Sequence, residues 1–224
     1  MNKLELQNKI DKCFENAERM LNERGELIPM IDIEFEMADK KKAVIAIVLA
    51  TGDDRNARNA FITGIGMGMG IIKRLGKINE VRCVALMSEA WFSTYDKNVD
   101  INNVPMPSKD PKRREMLIAT GLTAKGLCVM KGKELFSVEV KGKRHFRLED
   151  RPEMSGGTKH ESAMLEHFFT GYKKAQETTE KNTMLDTMAV LFKDMTFDEM
   201  LPRILKVITE NIKGYKSEFI KTNK

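Results

Sequence analysis

Residues 29–50 read PMIDIEFEMADKKKAVIAIVLA. Ile31, Ile33, Phe35 and Met37 alternate with Asp32, Glu34 and Glu36, the two-residue period of a strand with one buried face. After the polar step Asp39-Lys40-Lys41-Lys42, every residue from Ala43 to Ala50 is apolar, as in a strand covered on both faces. Two such runs joined by a short turn predict a β-hairpin, and with it a sheet at the centre of the fold.

The flanks supply helices. Leu6, Ile10, Phe14, Ala17 and Leu21 recur at helical spacing, so a helix is predicted from about Lys3 to Arg24, stopped by Gly25. Downstream, Asp53 or Asp54 is expected to cap a helix over Arg55 to Leu75 that Gly76 ends. Val81 to Trp91 reads as a buried strand, followed by a polar, Pro-bearing loop from Thr94 to Lys112. Three short strands should follow as a meander: Glu115 to Thr120, Gly126 to Met130 with Lys133 to Val140, and Lys143 to Leu148. Gly132 and Gly142 would mark its turns.

Arg151 to Thr158, with Pro152 and Gly156-Gly157, reads as a linker. Beyond it the pattern is helical: Ala163, Met164, His167, Phe168 and Gly171 share a face, then Met184 to Phe192, then Asp198 to Ile212 with Pro202 in its first turn. The fold class is therefore α/β (α+β), with a mixed or mostly antiparallel sheet, an N-terminal helix, a Gly-rich helix and C-terminal helices. Residues 1–150 are expected to form the core domain. Residues 158–224 are expected to form a helical segment that packs on it or mediates assembly.

Composition excludes some function classes. An apolar fraction of 42% and a charged fraction of 32% over 224 residues suit a folded chain rather than a disordered one. Sixteen methionines against three tyrosines and one tryptophan suggest a core filled largely by thioethers. Cys13, Cys83 and Cys128 are too few and too scattered for a disulfide framework or a cysteine zinc site, and are expected to be buried free thiols. The longest uncharged apolar-plus-Gly run, Ala60 to Ile72, is too short to span a bilayer, and no signal peptide is evident. A cytoplasmic protein without membrane contact is expected. A net charge of +5 permits an acidic partner without demanding one.

The Gly64-Ile65-Gly66-Met67-Gly68-Met69-Gly70 run is neither a dinucleotide fingerprint nor a P-loop. Its i, i+4 pairs make a flat helical strip. Close packing on the sheet is the expected use, with a dimer seam or a ligand-lined backbone as alternatives. Ser88-Glu89-Ala90-Trp91 ends a buried strand, so Glu89 is a catalytic candidate. In the following loop, Ser108, Asp110, Arg113 and Arg114 could surround an anion, or could form a capped turn. The stretch from Lys125 to Arg151 carries Lys125, Lys131, Lys133, Lys141, Lys143, Arg144, Arg147 and Arg151, interleaved with Phe136, His145 and Phe146. Lys141, Lys143 and Arg144 are its binding candidates for a nucleic-acid backbone. His160 and His167 share a helical face but lack a third ligand, so no metal and no cofactor are expected.

The order of helix, hairpin, helix, strand and meander resembles the zinc-dependent isopeptidase (MPN-type) fold. That resemblance implies architecture only: the family's His-x-His pair is missing, because no histidine precedes His145. Gly25-x-x-x-Pro29-Met30, Ser88-Glu89-Ala90-Trp91 and Pro107-Ser108-x-Asp110-Pro111-x-Arg113-x-Glu115 look similar to prokaryotic and phage-type α/β proteins, over roughly the first 125 residues. This second resemblance implies no activity.

The leading expectation is a non-enzymatic binding or assembly protein, with another protein or a second copy of the chain as partner. The alternatives are a hydrolase of an anionic, phosphorylated substrate built on Glu89, and a nucleic-acid-binding protein.

Overall fold

The computed structural model describes residues 1–49, 55–93, 109–150, 159–177, 190–192, 194–211 and 219–220. The expected Asp53 or Asp54 cap, the Thr94–Ser108 part of the loop, the linker and most of the Met184–Phe192 helix lie outside them.

Helix α1 (Lys3–Arg24) begins with a capping box: Glu5 N–H donates to Asn2 Oδ1 at 2.9 Å, and Asn2 N–H donates to Glu5 Oε2 at 2.7 Å. It ends at Gly25, whose φ of 80° is the left-handed conformation glycine adopts without strain. The hairpin follows. Strands β1 (Met30–Met37) and β2 (Lys42–Val48) pair antiparallel from Met30↔Val48 to Glu36↔Lys42. Helix α2 (Arg55–Arg74) then carries the chain across the sheet to β3 (Ile78–Phe92), which pairs with the other side of β1.

From β3 the chain meanders through β4 (Arg114–Thr123), β5 (Cys128–Val140) and β6 (Lys143–Asp150). Helices α3 (Lys159–Glu177) and α4 (Phe197–Asn211) follow, and a two-residue strand, β7 (Phe219–Ile220), pairs outside β2. The sheet order is β6-β5-β4-β3-β1-β2-β7 and every neighbouring pair is antiparallel. This is an α+β fold.

The sheet has helices on both faces. Leu6, Ile10, Phe14, Ala17 and Leu21 of α1 pack on Cys83, Ala85, Met87, Leu117, Ala119, Val129 and Phe146. Gly121 of β4 lets α1 sit close, since a β-carbon there would press on Ile10 and Leu6 at 2.9 Å. On the other face, Ile31, Ile33 and Phe35 of β1 and Ile45 and Ile47 of β2 pack against α2, α3 and α4 in one core. Phe35 and Phe197 stand with ring centroids 4.9 Å apart.

The acids of β1 alternate as a solvent face would, yet α1 covers them. Asp32 and Glu34 retain 18% and 14% side-chain exposure, and pair with Lys9 Nζ at 3.4 Å and Arg82 Nε at 3.4 Å.

Four expectations need correction. First, Gly132 does not mark a turn: β5 runs through it, paired with Ile118, because ladder hydrogen bonds outweigh the local turn signal. Second, Pro202 lies in the second turn of α4. Thr196 is the cap, with Thr196 N–H donating to Glu199 Oε2 at 2.8 Å, so the helix starts earlier relative to the proline. Third, the Gly66/Gly70 pair of the glycine strip packs on α3 and not on the sheet. A β-carbon at Gly66 would collide with the Phe168 carbonyl, one at Gly70 would lie 2.6 Å from the Tyr172 carbonyl, and one at Gly171 would collide with the Thr63 carbonyl. Glycines on both helices thus let the α2 and α3 backbones touch, a small-residue seam within one chain. Fourth, isoleucine, leucine and phenylalanine fill most of the core; the buried methionines among the described residues are Met69, Met87, Met116 and Met200.

Candidate functional site

Strands β5 and β6 outrun their neighbours. β4 pairs with β5 only as far as Met116↔Glu134, and its first residue, Arg114, stands two positions further on. The β5–β6 ladder continues through Ser137↔Phe146, Val138↔His145 and Glu139↔Arg144 to Val140↔Lys143. Those last pairs form a two-stranded arm that projects about 13 Å at the ~3.3 Å rise of a strand. Lys141 and Gly142 close it, with φ of 53° and 74°, the left-handed pair that a two-residue hairpin turn requires.

The arm has two unlike faces. Towards α1, Phe146 is buried, Leu135 and Leu148 are half-buried, and Arg144 lies 5.1 Å over the Phe146 ring. On the face away from α1, Phe136, Val138 and Val140 are 37%, 61% and 50% exposed. Their register partners Arg147, His145 and Lys143 are exposed beside them. Directly paired residues point to the same side of a sheet, so an apolar column runs alongside a basic one.

The basic stretch therefore separates by role. Lys131 is bound to Asp11 at 2.7 Å, and Lys133 to Asp150 at 3.1 Å while lying 5.3 Å over the Phe14 ring. These two brace β5 against its neighbours. Lys125 sits at the far end of the sheet, in the β4–β5 turn. Lys141, Lys143, Arg144 and Arg147 cluster at the arm and hold no ion pair among the described residues. Between residues 137 and 148 the only acid is Glu139.

The described members of the Glu89 group do not all lie on one side of the sheet. Glu89 is exposed at its surface side, yet partial desolvation and the neighbouring Glu115 carboxylate push its pKa up, and among the described residues it holds no ion pair. In the β3–β4 register Glu89 faces Leu117 and Phe92 faces Arg114, so Glu89 and Arg114 point to opposite sides of the sheet. Arg114 instead reaches buried Glu134 at 3.3 Å. Arg113 lies 5.2 Å over the exposed Trp91 ring. Asp110 is buried and forms a local turn, its Oδ1 accepting from Lys112 N–H at 2.8 Å and its carbonyl from Arg113 N–H at 3.1 Å. Ser108 lies outside the described residues.

A groove of about 470 Å³ at the other end of the sheet was not anticipated from sequence. It lies between the β4–β5 turn and α3, with Lys125, Lys173 and Glu166 among its lining. Nothing in the spacing of those residues links the turn to the helix; only the packing does.

Among the described residues, no three His, Cys, Asp or Glu side chains gather closely enough to hold a metal ion, and no helix is long and apolar enough to cross a membrane. No family model, curated protein or solved structure matches the chain. Fold and site geometry carry the functional reading by themselves.

Proposed function

We propose that the protein is a non-enzymatic binding protein that engages an acidic macromolecular partner through the β5–β6 arm. The observation that supports this reading is the pairing of an exposed apolar column, Phe136, Val138 and Val140, with the basic column Arg147, His145 and Lys143. Exposed β-branched side chains on a projecting ribbon contribute nothing to the chain's own core. Their free energy of burial is realised only against a partner. The lysines and arginines around them, which hold no ion pair among the described residues, draw acidic groups and raise the rate of encounter.

The test is binding of acidic probes (polyglutamate, DNA and RNA) over a salt series. Parent chain is compared with Lys143→Glu/Arg147→Glu. Salt-sensitive binding of at least one probe, lost on charge reversal, is the expected result. Indifference to every acidic probe at low salt overturns the reading.

A further inference from the structure

Resting on that reading of the arm, we infer that its partner is a protein segment, an acidic amphipathic helix laid along the face that carries Phe136, Val138 and Val140. Three observations lead there.

The first is the kind of apolar surface. A single-stranded nucleic acid is held by stacking its bases on aromatic rings, and every base offers a π-face. Of the three apolar residues on this face only Phe136 has a benzene ring, and it is the least exposed of them; Val138 and Val140 have none, and the basic column adds the single imidazole of His145. Phe146, the other aromatic of the arm, is buried against α1 and faces the other way. Against a phosphate backbone the two valines would stay wet. Against a leucine or isoleucine ridge they would be buried.

The second is the arrangement in columns. Apolar and basic residues do not alternate along one line; they stand side by side, Val138 beside His145 and Val140 beside Lys143. A partner must therefore present an apolar stripe and an acidic stripe next to each other on one surface. A helix does so, since residues at i, i+4 and i+7 form one stripe and their neighbours a parallel one. An extended strand does not, because successive side chains point to opposite sides.

The third is length. From Phe136 to Val140 the column runs four residue steps, about 13 Å at strand rise. At 1.5 Å per residue that matches about nine residues, between two and three turns of helix. The outer edge of β6, the other route by which a peptide could dock, is occupied at Phe146 by the Asn22 side chain. This favours the face over strand addition.

The experiment uses the full chain and a synthetic helical peptide of about five turns. The peptide carries a leucine stripe flanked by a glutamate stripe, and it is compared with a scrambled peptide of equal composition, polyglutamate, and short single-stranded and duplex DNA. Fluorescence anisotropy reads affinity. The expected result is that the striped peptide binds about tenfold or more tightly than the scrambled peptide or either DNA. Val138→Ser/Val140→Ser should remove most of that advantage while leaving the melting curve in place, since both side chains are exposed. DNA binding as tightly as the striped peptide, or no effect of the serine pair, overturns the inference. If DNA binds and Lys143→Glu/Arg147→Glu abolishes it, the arm is still the docking site and only the partner class is wrong. If neither peptide, polymer nor DNA binds at low salt, the reading of the arm falls with it.

Discussion

The side-chain amide of Asn22 makes both hydrogen bonds that a neighbouring strand would make to Phe146. Phe146 N–H donates to Asn22 Oδ1 at 2.9 Å, and Asn22 Nδ2 donates to the Phe146 carbonyl at 3.0 Å. The last turns of α1 thus close the outer edge of β6 where the arm leaves the sheet, and blunt a ready template for edge-to-edge pairing. Asn22→Ala is expected to cost about 1–3 kcal/mol, the desolvation penalty of groups left without partners. It should also bring concentration-dependent self-association. Urea unfolding and light scattering read the two effects, and a variant that matches the parent in both would show that the amide guards nothing.

At Gly66 and Gly171 the seam between α2 and α3 has no room for a side chain. Gly66→Ala and Gly171→Ala each drive a β-carbon into a backbone carbonyl, which cannot move aside as a side chain can. Each should cost about 3 kcal/mol or more, the upper end for overpacked sites. Gly25→Ala is the comparison: its left-handed φ of 80° is strained for alanine, but open space surrounds it, so about 1 kcal/mol is expected. Equal losses at the three positions would contradict close backbone contact.

Lys9 and Asp32 form a largely covered pair, with 10% and 18% side-chain exposure. Burial works against the Lys9 ammonium, but Asp32, with help from Cys13, Cys83 and Glu34, outweighs it and leaves its pKa raised. Lys9→Met leaves the Asp32 carboxylate without its cation under α1 and should destabilise by about 2–3 kcal/mol. That lies below the range for fully buried pairs, because some solvent reaches this one. Lys9→Met/Asp32→Val should recover most of the loss, since a buried ion pair is replaceable by well-packed apolar groups. A double variant as unstable as the single would mean that the carboxylate has essential partners besides Lys9.

Cys13 and Cys83 lie near this pair, and burial pushes both thiols up to about 12. The Asp32 carboxylate, within 3.8 Å of Cys13 Sγ, adds to the effect at Cys13, and Glu34 adds to it at Cys83. A thiol reagent at pH 8 should therefore leave both cysteines largely unmodified in the native chain and label them on unfolding. The linkage has a definite sign. The folded pKa values stand above the unfolded one, so the native state holds protons that the unfolded chain releases. The stabilisation is full below about 9 and is lost as pH rises from there towards 12. Unfolding free energies measured from pH 8 upward should fall more steeply for the parent than for Cys13→Ala/Cys83→Ala. Parallel slopes would dissociate the thiols from alkaline stability.

Much of the fold could be read in advance where one residue pattern governs one element. The α1 stripe from Leu6 to Leu21 named its own buried face, and Gly25 its end. The alternation of β1 and the continuous apolar run of β2 announced the hairpin. Two capping boxes, Asn2 with Glu5 and Thr196 with Glu199, were also present as sequence signals; the second would have set the start of α4 and the place of Pro202. At the site, the excess of Lys141, Lys143, Arg144 and Arg147 could be read as a basic hairpin. The separation of Lys131 and Lys133 from that group could not, since it depends on Asp11, 120 residues away, and on Phe14 of the same helix.

Local pattern by itself determined which segments became helix or strand, because helical and strand periods are properties of a few consecutive residues. Tertiary structure decided what each face met. The glycines of α2 specified closeness without a partner, and only the return of α3 supplied the Phe168 and Tyr172 carbonyls. The acids of β1 looked solvent-bound until α1 covered them. The apolar column of the arm is exposed only because β4 begins too late to support it and the helices cover other parts of the sheet. Burial is a property of pairs of surfaces, and a linear pattern specifies only one surface of each pair.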